Sequence, residues 1–413
     1  MADDGERDSR QESLNRITEQ YPGVELVPSE NRTIGAGPAD RSPYTGGLTS
    51  IEDFYILNHH PTPDIEPNSW TVSLTGGVDE ADLTMRELRE SYPTTSVTAT
   101  LECAGNGRTY FDSVDGEPER YVQWGDNGVS TARWTGTPLS AILDDHNATT
   151  DDGYWLTAIG GDAPEGEDIF ARSLPMAKVI DDCLLAYRMN GEPLPPEHGF
   201  PIRVIVPGWY GVNSVKWVEE LHVMDRMIAG DEWDQHTRWQ QDSYRMDFND
   251  EEPSERTDIS TFDTWEQLED DVARPYLYDQ HVMSLVGSPK DSEAVRLSAD
   301  GTLTVRGVAW AGDDRVISVE VSTDRGDTWR EATLVESADE TYRWQRFECS
   351  LALQPGEHTL VSRATDEQGR RQPAKTANPG SRKDVSEDTY PWNREGYGNN
   401  AHLDYGVTFT VKE

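Results

Sequence analysis

Cys103 has the sequence setting that points most directly to chemistry. It follows the alternating segment TATLE at 98–102 and precedes AGNG, which contains Gly105 and Gly107. The alternation predicts a strand, and the glycines predict a loop whose backbone amides can closely approach an anion or a metal. A thiolate is a soft ligand that suits a transition metal. A lone cysteine is more often a small buried apolar residue, so both interpretations stay open on the residues alone.

A second group of polar residues lies in the segment at 184–221, which contains His198, Arg203 and Lys216 beside several glycines. An arginine can bind a phosphate through two parallel hydrogen bonds, and a lysine binds it as a point charge. The same side chains could instead satisfy backbone carbonyls of a core strand. The residues alone favour neither interpretation.

The motif LECAGNGR at 101–108 is similar to the cysteine loop of the sulfite oxidase family, and the segment at 184–221 resembles the pterin-binding segment of that family. DFYILNHHPTPDI at 53–65 and WGDNGVSTARWTGTPLSAIL at 124–143 resemble two further family segments. This resemblance implies a molybdenum-molybdopterin cofactor with Cys103 as the only protein ligand of the metal. The cofactor contacts that it implies are Tyr55, Asn58, His59, Cys103, Asp162, His198, Arg203, Ser214, Val215 and Lys216.

The expected substrate pocket departs from the family pattern. Trp124 is expected to form one wall, but Leu57 stands where sulfite-oxidising members have an arginine, and Phe170 stands where the active-site tyrosine is expected. In a looser alignment, Gln241 and Asp242 replace an arginine pair. The loss of such anion contacts, each worth about 1.5 to 3 kcal/mol, predicts weaker sulfite binding.

Two arginines could compensate for the missing positive charge, and we predict a catalytic role for both beside Cys103. Arg108 directly follows the cysteine loop. Arg172 stands where family members usually have a small residue, and it is expected either to face the pocket or to lie on the surface.

The elements that must position these residues predict an α+β fold. Residues 1–45 are expected to form a polar arm with little chemistry, 46–270 a mixed α/β molybdopterin-binding domain, and 271–413 an immunoglobulin-like β-sandwich for dimerisation. An acidic connector is predicted at 242–275. Local patterns predict strands at 69–78 and 97–102 and helices at 83–91 and 138–144.

Charge and cysteine content narrow the class of protein. The chain has 36 basic and 77 acidic residues, a net charge of −41, which argues against nucleic acid or an anionic membrane as a partner and favours a surface adapted to concentrated salt. The three cysteines form no CxxC pair, so neither a zinc site nor a disulfide framework is indicated. No haem, flavin or iron–sulfur motif occurs, and a cytoplasmic location is expected.

The predicted function is two-electron oxygen-atom transfer by a molybdenum-pterin oxidoreductase. Its partners would be a small oxyanion or an oxide of sulfur or nitrogen, a separate electron carrier, and a second copy of the chain bound through the C-terminal domain. A sulfoxide or nitrate-type reductase of the same family is the first alternative. A non-catalytic scaffold or adhesion protein is the second.

Overall fold

The computed structural model describes residues 2–29, 33–113, 121–228, 243–246, 276–335, 341–378, 386 and 388–412. The helices within them are α1 (Ala2–Gln20), α2 (Met85–Glu90), α3 (Leu139–Asp145) and α4 (Met176–Asp182). No helix in these ranges is long and apolar enough to cross a membrane.

The N-terminal arm is folded rather than a simple polar extension. Strands β1 (Val24–Val27), β2 (Ile34–Pro38) and β3 (Ile56–Asn58) form an antiparallel sheet in the order β1-β2-β3. Ile17 of helix α1 and Tyr21, which directly follows the helix, pack against this sheet. Because its other residues are largely polar, α1 shows little of the apolar periodicity that predicts a helix.

The middle of the chain contains two five-stranded sheets. Their strands are β4 (Thr71–Gly76), β5 (Ala81–Thr84), β6 (Thr95–Glu102), β7 (Val129–Pro138), β8 (Trp155–Gly160), β9 (Ala171–Pro175), β10 (Leu184–Met189), β11 (Glu192–Pro193), β12 (Arg203–Ile205) and β13 (Val218–Met224). One sheet has the order β11-β10-β7-β6, with β12 paired to β10, and the other has the order β5-β4-β13-β8-β9. The first is antiparallel and the second mixed, with β13 parallel to β4 and the other pairs antiparallel. This confirms the α+β prediction.

Local signals place the predicted elements to within a few residues. The strand expected at 97–102 is β6, and the helix expected at 83–91 is α2. Helix α2 begins where the side chain of Thr84 accepts a hydrogen bond from the amide of Glu87 and the Glu87 carboxylate binds the Thr84 amide in return. Strand β6 pairs with β7 up to Glu102 opposite Val129, so the next residue, Cys103, lies at the end of a paired strand.

The C-terminal part is rich in strands: β14 (Met283–Ser288), β15 (Ala294–Val295), β16 (Thr302–Trp310), β17 (Val316–Ser322), β18 (Arg330–Glu331), β19 (Thr333–Leu334), β20 (Gln345–Ala352), β21 (Gly356–Asp366), β22 (Lys375–Thr376), β23 (Thr389–Tyr390) and β24 (Val407–Val411). The sheets β14-β16-β20-β19 and β15-β24-β21-β17-β18 enclose a shared apolar core. The immunoglobulin type of this sandwich stays a prediction.

The C-terminal part packs directly on the cysteine loop. The indole of Trp310 donates to the carboxylate of Glu102 at 2.9 Å, and the amide of Gly398 donates to the carbonyl of Ala104 at 2.7 Å. Both contacts flank Cys103. The domain boundaries at 45/46 and 270/271 stay predictions, and the second lies outside the described residues, as does most of the predicted acidic connector.

Candidate active site

Backbone contacts fix the loop that carries Cys103. The Cys103 amide donates to the carbonyl of Gly128 at 2.8 Å, and the Asn106 amide donates to the Cys103 carbonyl at 2.9 Å. The Asn106 side chain bridges Glu102 and Gly128 at 3.0 Å each. Gly107 has φ +80° and leaves no room for a Cβ, which would lie 2.0 Å from the Tyr405 hydroxyl oxygen. The loop is therefore rigid, and glycine is required at this turn.

The thiol of Cys103 is shielded from water. Burial raises its pKa to about 11, although the positive charge of Arg108 opposes the shift. Such a thiol stays protonated and unreactive near neutral pH. A metal bound as a thiolate complex must displace that proton, so metal binding at this sulfur releases a proton.

Cys103 lies where two clefts meet. The larger has a volume of about 660 Å³ and the smaller about 400 Å³, both including space open to solvent. Both are lined by Leu57, His59, Cys103 and Tyr244. We name them after the contacts that the sequence resemblance implies: the larger one is the cofactor cleft and the smaller one is the substrate cleft.

The cofactor cleft brings together nearly all of the predicted cofactor contacts: Tyr55, Asn58, His59, Cys103, Asp162, His198, Arg203, Ser214 and Lys216. Lys216 Nζ donates to the carbonyl of Leu57 at 2.9 Å and also to Asn58 Oδ1. Arg203 donates from Nη1 to the carbonyl of His198 at 3.1 Å and from Nη2 to that of Ser214 at 2.8 Å. Val215 does not line the cleft, because its side chain belongs to the apolar core.

Burial dominates the electrostatics of the cofactor cleft. It lowers the pKa of Arg203 to about 10 and lowers the pKa values of His198 and Lys216 well below their ordinary ranges. Burial also raises the pKa of Asp162. Desolvation penalises each charged form, so an anionic ligand beside these bases would favour their protonated states.

The cofactor cleft fits a bound anionic group. His198 Nε2 and Arg203 Nε are buried and have no hydrogen-bond partner within the described part of the chain. Buried polar atoms are almost always paired in proteins, which makes these two candidates for ligand contacts. Together with the soft sulfur of Cys103, they suit the molybdopterin that the sequence resemblance implies.

Arg172 takes neither of the two expected positions. It is fully buried and lines neither cleft. Its Nη2 donates to Asn213 Oδ1 at 3.1 Å, and its guanidinium lies 5.8 Å from the centre of the Tyr244 ring. The surface alternative is therefore wrong, and Arg172 supports the walls of the clefts from behind.

Arg172→Ala should lower the free energy of unfolding by about 3 kcal/mol, because it leaves a cavity and a buried amide oxygen without its donor. Chemical denaturation in concentrated salt measures the change. Arg133→Ala, at an exposed position, is the matched control and should change stability by less than about 0.5 kcal/mol. An equally small effect of Arg172→Ala would contradict the supporting role.

The substrate cleft has Arg108, Trp124 and Tyr397 in its walls. Arg108 is buried, and backbone carbonyls hold it in place: Nε donates to Glu395 at 2.8 Å and Nη1 to Val122 at 2.5 Å. Its guanidinium lies 5.3 Å from the centre of the Tyr397 ring. These contacts hold the guanidinium in the same cleft as Cys103. The catalytic role of Arg108 stays a prediction.

Tyr244 is a site residue that the sequence did not reveal. Its hydroxyl lies 2.6 Å from His59 Nε2, and its ring stacks on Tyr397 with the ring centres 5.4 Å apart. The ring of Phe170 stacks on the same His59 imidazole, with the ring centres 4.7 Å apart. Tyr244 therefore supplies a phenol to both clefts, from a segment of the chain other than the one where the active-site tyrosine was expected. Gln241 and Asp242, which precede it, lie outside the described residues.

Comparisons with known proteins agree with this geometry. Residues 59–232 match the family model described as oxidoreductase molybdopterin binding domain, and residues 274–379 match the Mo-co oxidoreductase dimerisation domain. Sulfite oxidase of Gallus gallus is 34% identical over 370 residues, 87% of this chain and 74% of that protein. An NADPH nitrate reductase of Aspergillus niger is 33% identical over 347 residues, 80% of this chain and 38% of that protein.

A solved structure supports the fold. The crystal structure of the sulfane dehydrogenase SoxCD from Paracoccus pantotrophus superposes with a TM-score of 0.72 at 26% identity, over 96% of this chain and 92% of that one. The chain spans 59 to 62% of the mitochondrial sulfite oxidases of four mammals and a fly. With the family models and the chicken enzyme matched over most of its length, the chain belongs to the sulfite oxidase family of molybdopterin-binding oxidoreductases.

Proposed function

We propose that this protein transfers an oxygen atom between water and a small oxyanion or an oxide of sulfur or nitrogen. The two electrons of this reaction would be exchanged with a separate electron carrier, and the two protons with the solvent. The position of Cys103 at the junction of the two clefts is the observation that carries this proposal. A cofactor held in the cofactor cleft and a substrate that enters through the substrate cleft would meet beside this sulfur.

The residues of one cleft would bind the cofactor, and those of the other would bind the substrate. Bound molybdenum cofactor would supply the oxygen-atom transfer and the electron storage. Cys103 would hold the metal, while Arg203, His198 and Lys216 would bind the anionic pterin. Arg108 would attract and orient an anionic substrate, and the apolar walls would exclude water.

Leu57 weakens the case for sulfite as the preferred substrate, because it offers no charge to bind an anion. It lines both clefts and brings no charge. Arg108 is the one arginine or lysine among the described residues that line the substrate cleft. A cleft with this one cation favours a neutral substrate, so a second candidate is a reductase that acts on a sulfoxide. The nitrate reductase relative supports nitrate, a singly charged anion, as the other substrate of such a reductase. The sulfane dehydrogenase neighbour likewise widens the range of sulfur compounds that deserve testing.

We extend the proposal to the partners. A separate protein or small carrier would exchange electrons with the site. Two copies of the chain would associate through the C-terminal sandwich, as the match to a dimerisation domain supports. The net charge of −41 supports a surface adapted to concentrated salt, where ions screen the repulsion between carboxylates.

Elemental analysis tests the proposal first. Protein purified in concentrated salt from a host that makes the cofactor should contain about one molybdenum per chain, with the fluorescence of oxidised pterin after release. Sulfite oxidation with an artificial electron acceptor, and sulfoxide and nitrate reduction with an artificial donor, would then identify the direction of the reaction. Protein that holds neither metal nor pterin would refute the proposal.

Arg108→Gln should raise KM for an anionic substrate about 10- to 100-fold, because a charge-assisted contact is lost. Turnover at saturation should fall much less. Steady-state kinetics measure both constants, with Arg133→Gln as the exposed control. An unchanged KM would show that Arg108 only stabilises the cysteine loop and does not bind the substrate.

A further inference from the structure

Helix α1 reaches the wall of the cofactor cleft through one buried carboxylate. Arg16 Nε lies 2.5 Å from Glu197 Oε1, and the hydroxyl of Tyr21 donates to Glu197 Oε2 at 2.9 Å. The Glu197 side chain is completely buried, whereas that of Arg16 is 28% exposed. The two oxygens of Glu197 are thus each paired with the N-terminal region, which the sequence predicted to have little chemistry.

Glu197 belongs to a 3₁₀ turn, Pro196–His198, that borders the cofactor cleft. All three carbonyls of this turn accept hydrogen bonds from side chains. Pro196 accepts from Trp217 Nε1 at 3.0 Å, Glu197 from Lys216 Nζ at 2.9 Å, and His198 from Arg203 Nη1 at 3.1 Å. The turn therefore contributes one hydrogen bond to the placement of each of the two basic side chains of the cleft, Lys216 and Arg203.

Ring packing adds a second connection between the N-terminal region and the cleft. The ring of Tyr21 meets His198 edge to face, with the ring centres 5.7 Å apart, and Phe54 meets the same imidazole at 5.3 Å. Ile17, one turn before Tyr21, anchors α1 in the apolar core of the N-terminal sheet. Tyr21 therefore contacts the turn both through its hydroxyl and through its ring.

We propose that α1 and the tyrosine that directly follows it retain the pterin cofactor. Arg16 and Tyr21 act through Glu197 as positioning residues for the turn that carries His198 and binds Lys216 and Arg203. The inference rests on the proposed function, since it assumes that a pterin occupies this cleft. Loss of Arg16 would leave a buried carboxylate without its cationic partner, which is strongly unfavourable. The turn would shift to relieve this, and the contacts that it positions would loosen.

The test measures how fast the loaded protein loses its cofactor. Arg16→Met keeps an unbranched stem that reaches about as far as arginine Nε and removes the charge. Tyr21→Phe keeps the ring on His198 and removes only the hydroxyl. At a temperature well below unfolding, Arg16→Met should release pterin and molybdenum about 10- to 100-fold faster than the wild type, and Tyr21→Phe about 3- to 10-fold faster. Arg16→Lys should restore most of the retention. Glu19→Gln, on the exposed side of α1, is the matched control and should release at the wild-type rate.

Parallel unfolding curves separate positioning from general stability. Wild-type release rates in both Arg16→Met and Tyr21→Phe would overturn the inference and leave the proposed function intact, even if the unfolding midpoints fell. Tyr21→Phe carries the test alone if Arg16→Met does not fold. A wild-type protein from a cofactor-competent host that contains no pterin would overturn both proposals.

Discussion

Cys103→Ser should reduce turnover by at least about 1,000-fold while the protein stays folded. Serine presents a hard hydroxyl that remains protonated, so it cannot replace a soft thiolate as a metal ligand. The loop should keep its shape because its anchoring hydrogen bonds use the backbone of Cys103 and the side chain of Asn106, not the sulfur. Turnover, molybdenum content and circular dichroism are the measurements.

The chain supplies matched controls for this substitution. Cys183 and Cys349 are also buried, and neither lines the clefts at Cys103. Cys183→Ser and Cys349→Ser should therefore keep turnover per folded molecule. A fully active Cys103→Ser protein would remove the basis for placing the metal at this sulfur.

Leu57→Arg should lower KM for sulfite about 10- to 100-fold, the effect expected from one charge-assisted hydrogen bond to an anion. Leu57 is the appropriate position because it lines both clefts beside Cys103. A new guanidinium there would line the substrate cleft together with Arg108. Steady-state kinetics with sulfite over a range of salt concentrations would measure the gain, which should shrink as salt screens the new charge.

Leu57→Met is the control, because it conserves volume and adds no charge. It should leave KM for sulfite nearly unchanged. If Leu57→Arg binds sulfite no better than Leu57→Met does, the missing arginine does not explain a preference for other substrates. The rates of nitrate and sulfoxide reduction by the same variants would then show whether the protein is a reductase instead.

Local sequence patterns predicted much of the site because its main components lie within short segments. The cysteine loop follows one alternating strand, and His198, Arg203 and Lys216 lie in one continuous stretch. The resemblance to a family placed Asn58, His59 and Asp162 in the same cleft. Strand β6 and helix α2 were predictable for the same reason, since a strand alternation and a capping threonine are local signals.

The missed features depend on contacts between distant segments. Tyr244 lies near the start of the predicted acidic connector, which has no periodicity, so nothing local marks its hydroxyl as a neighbour of His59. Arg172 was expected in the pocket or on the surface, since a buried guanidinium needs a partner such as Asn213 that only the tertiary structure supplies. Helix α1 was missed because its small apolar face hardly shows in a polar sequence.

The contact between the C-terminal part and the cysteine loop constrains the order of events during synthesis. Arg108 donates to the carbonyl of Glu395, which lies 287 positions further along the chain, and the amide of Gly398 donates to the carbonyl of Ala104. While the ribosome is still producing the sandwich, the loop lacks these neighbours. The active site therefore reaches its final form only after translation of almost the whole described chain, so insertion of the cofactor should be a late, post-translational event rather than a nucleus for folding.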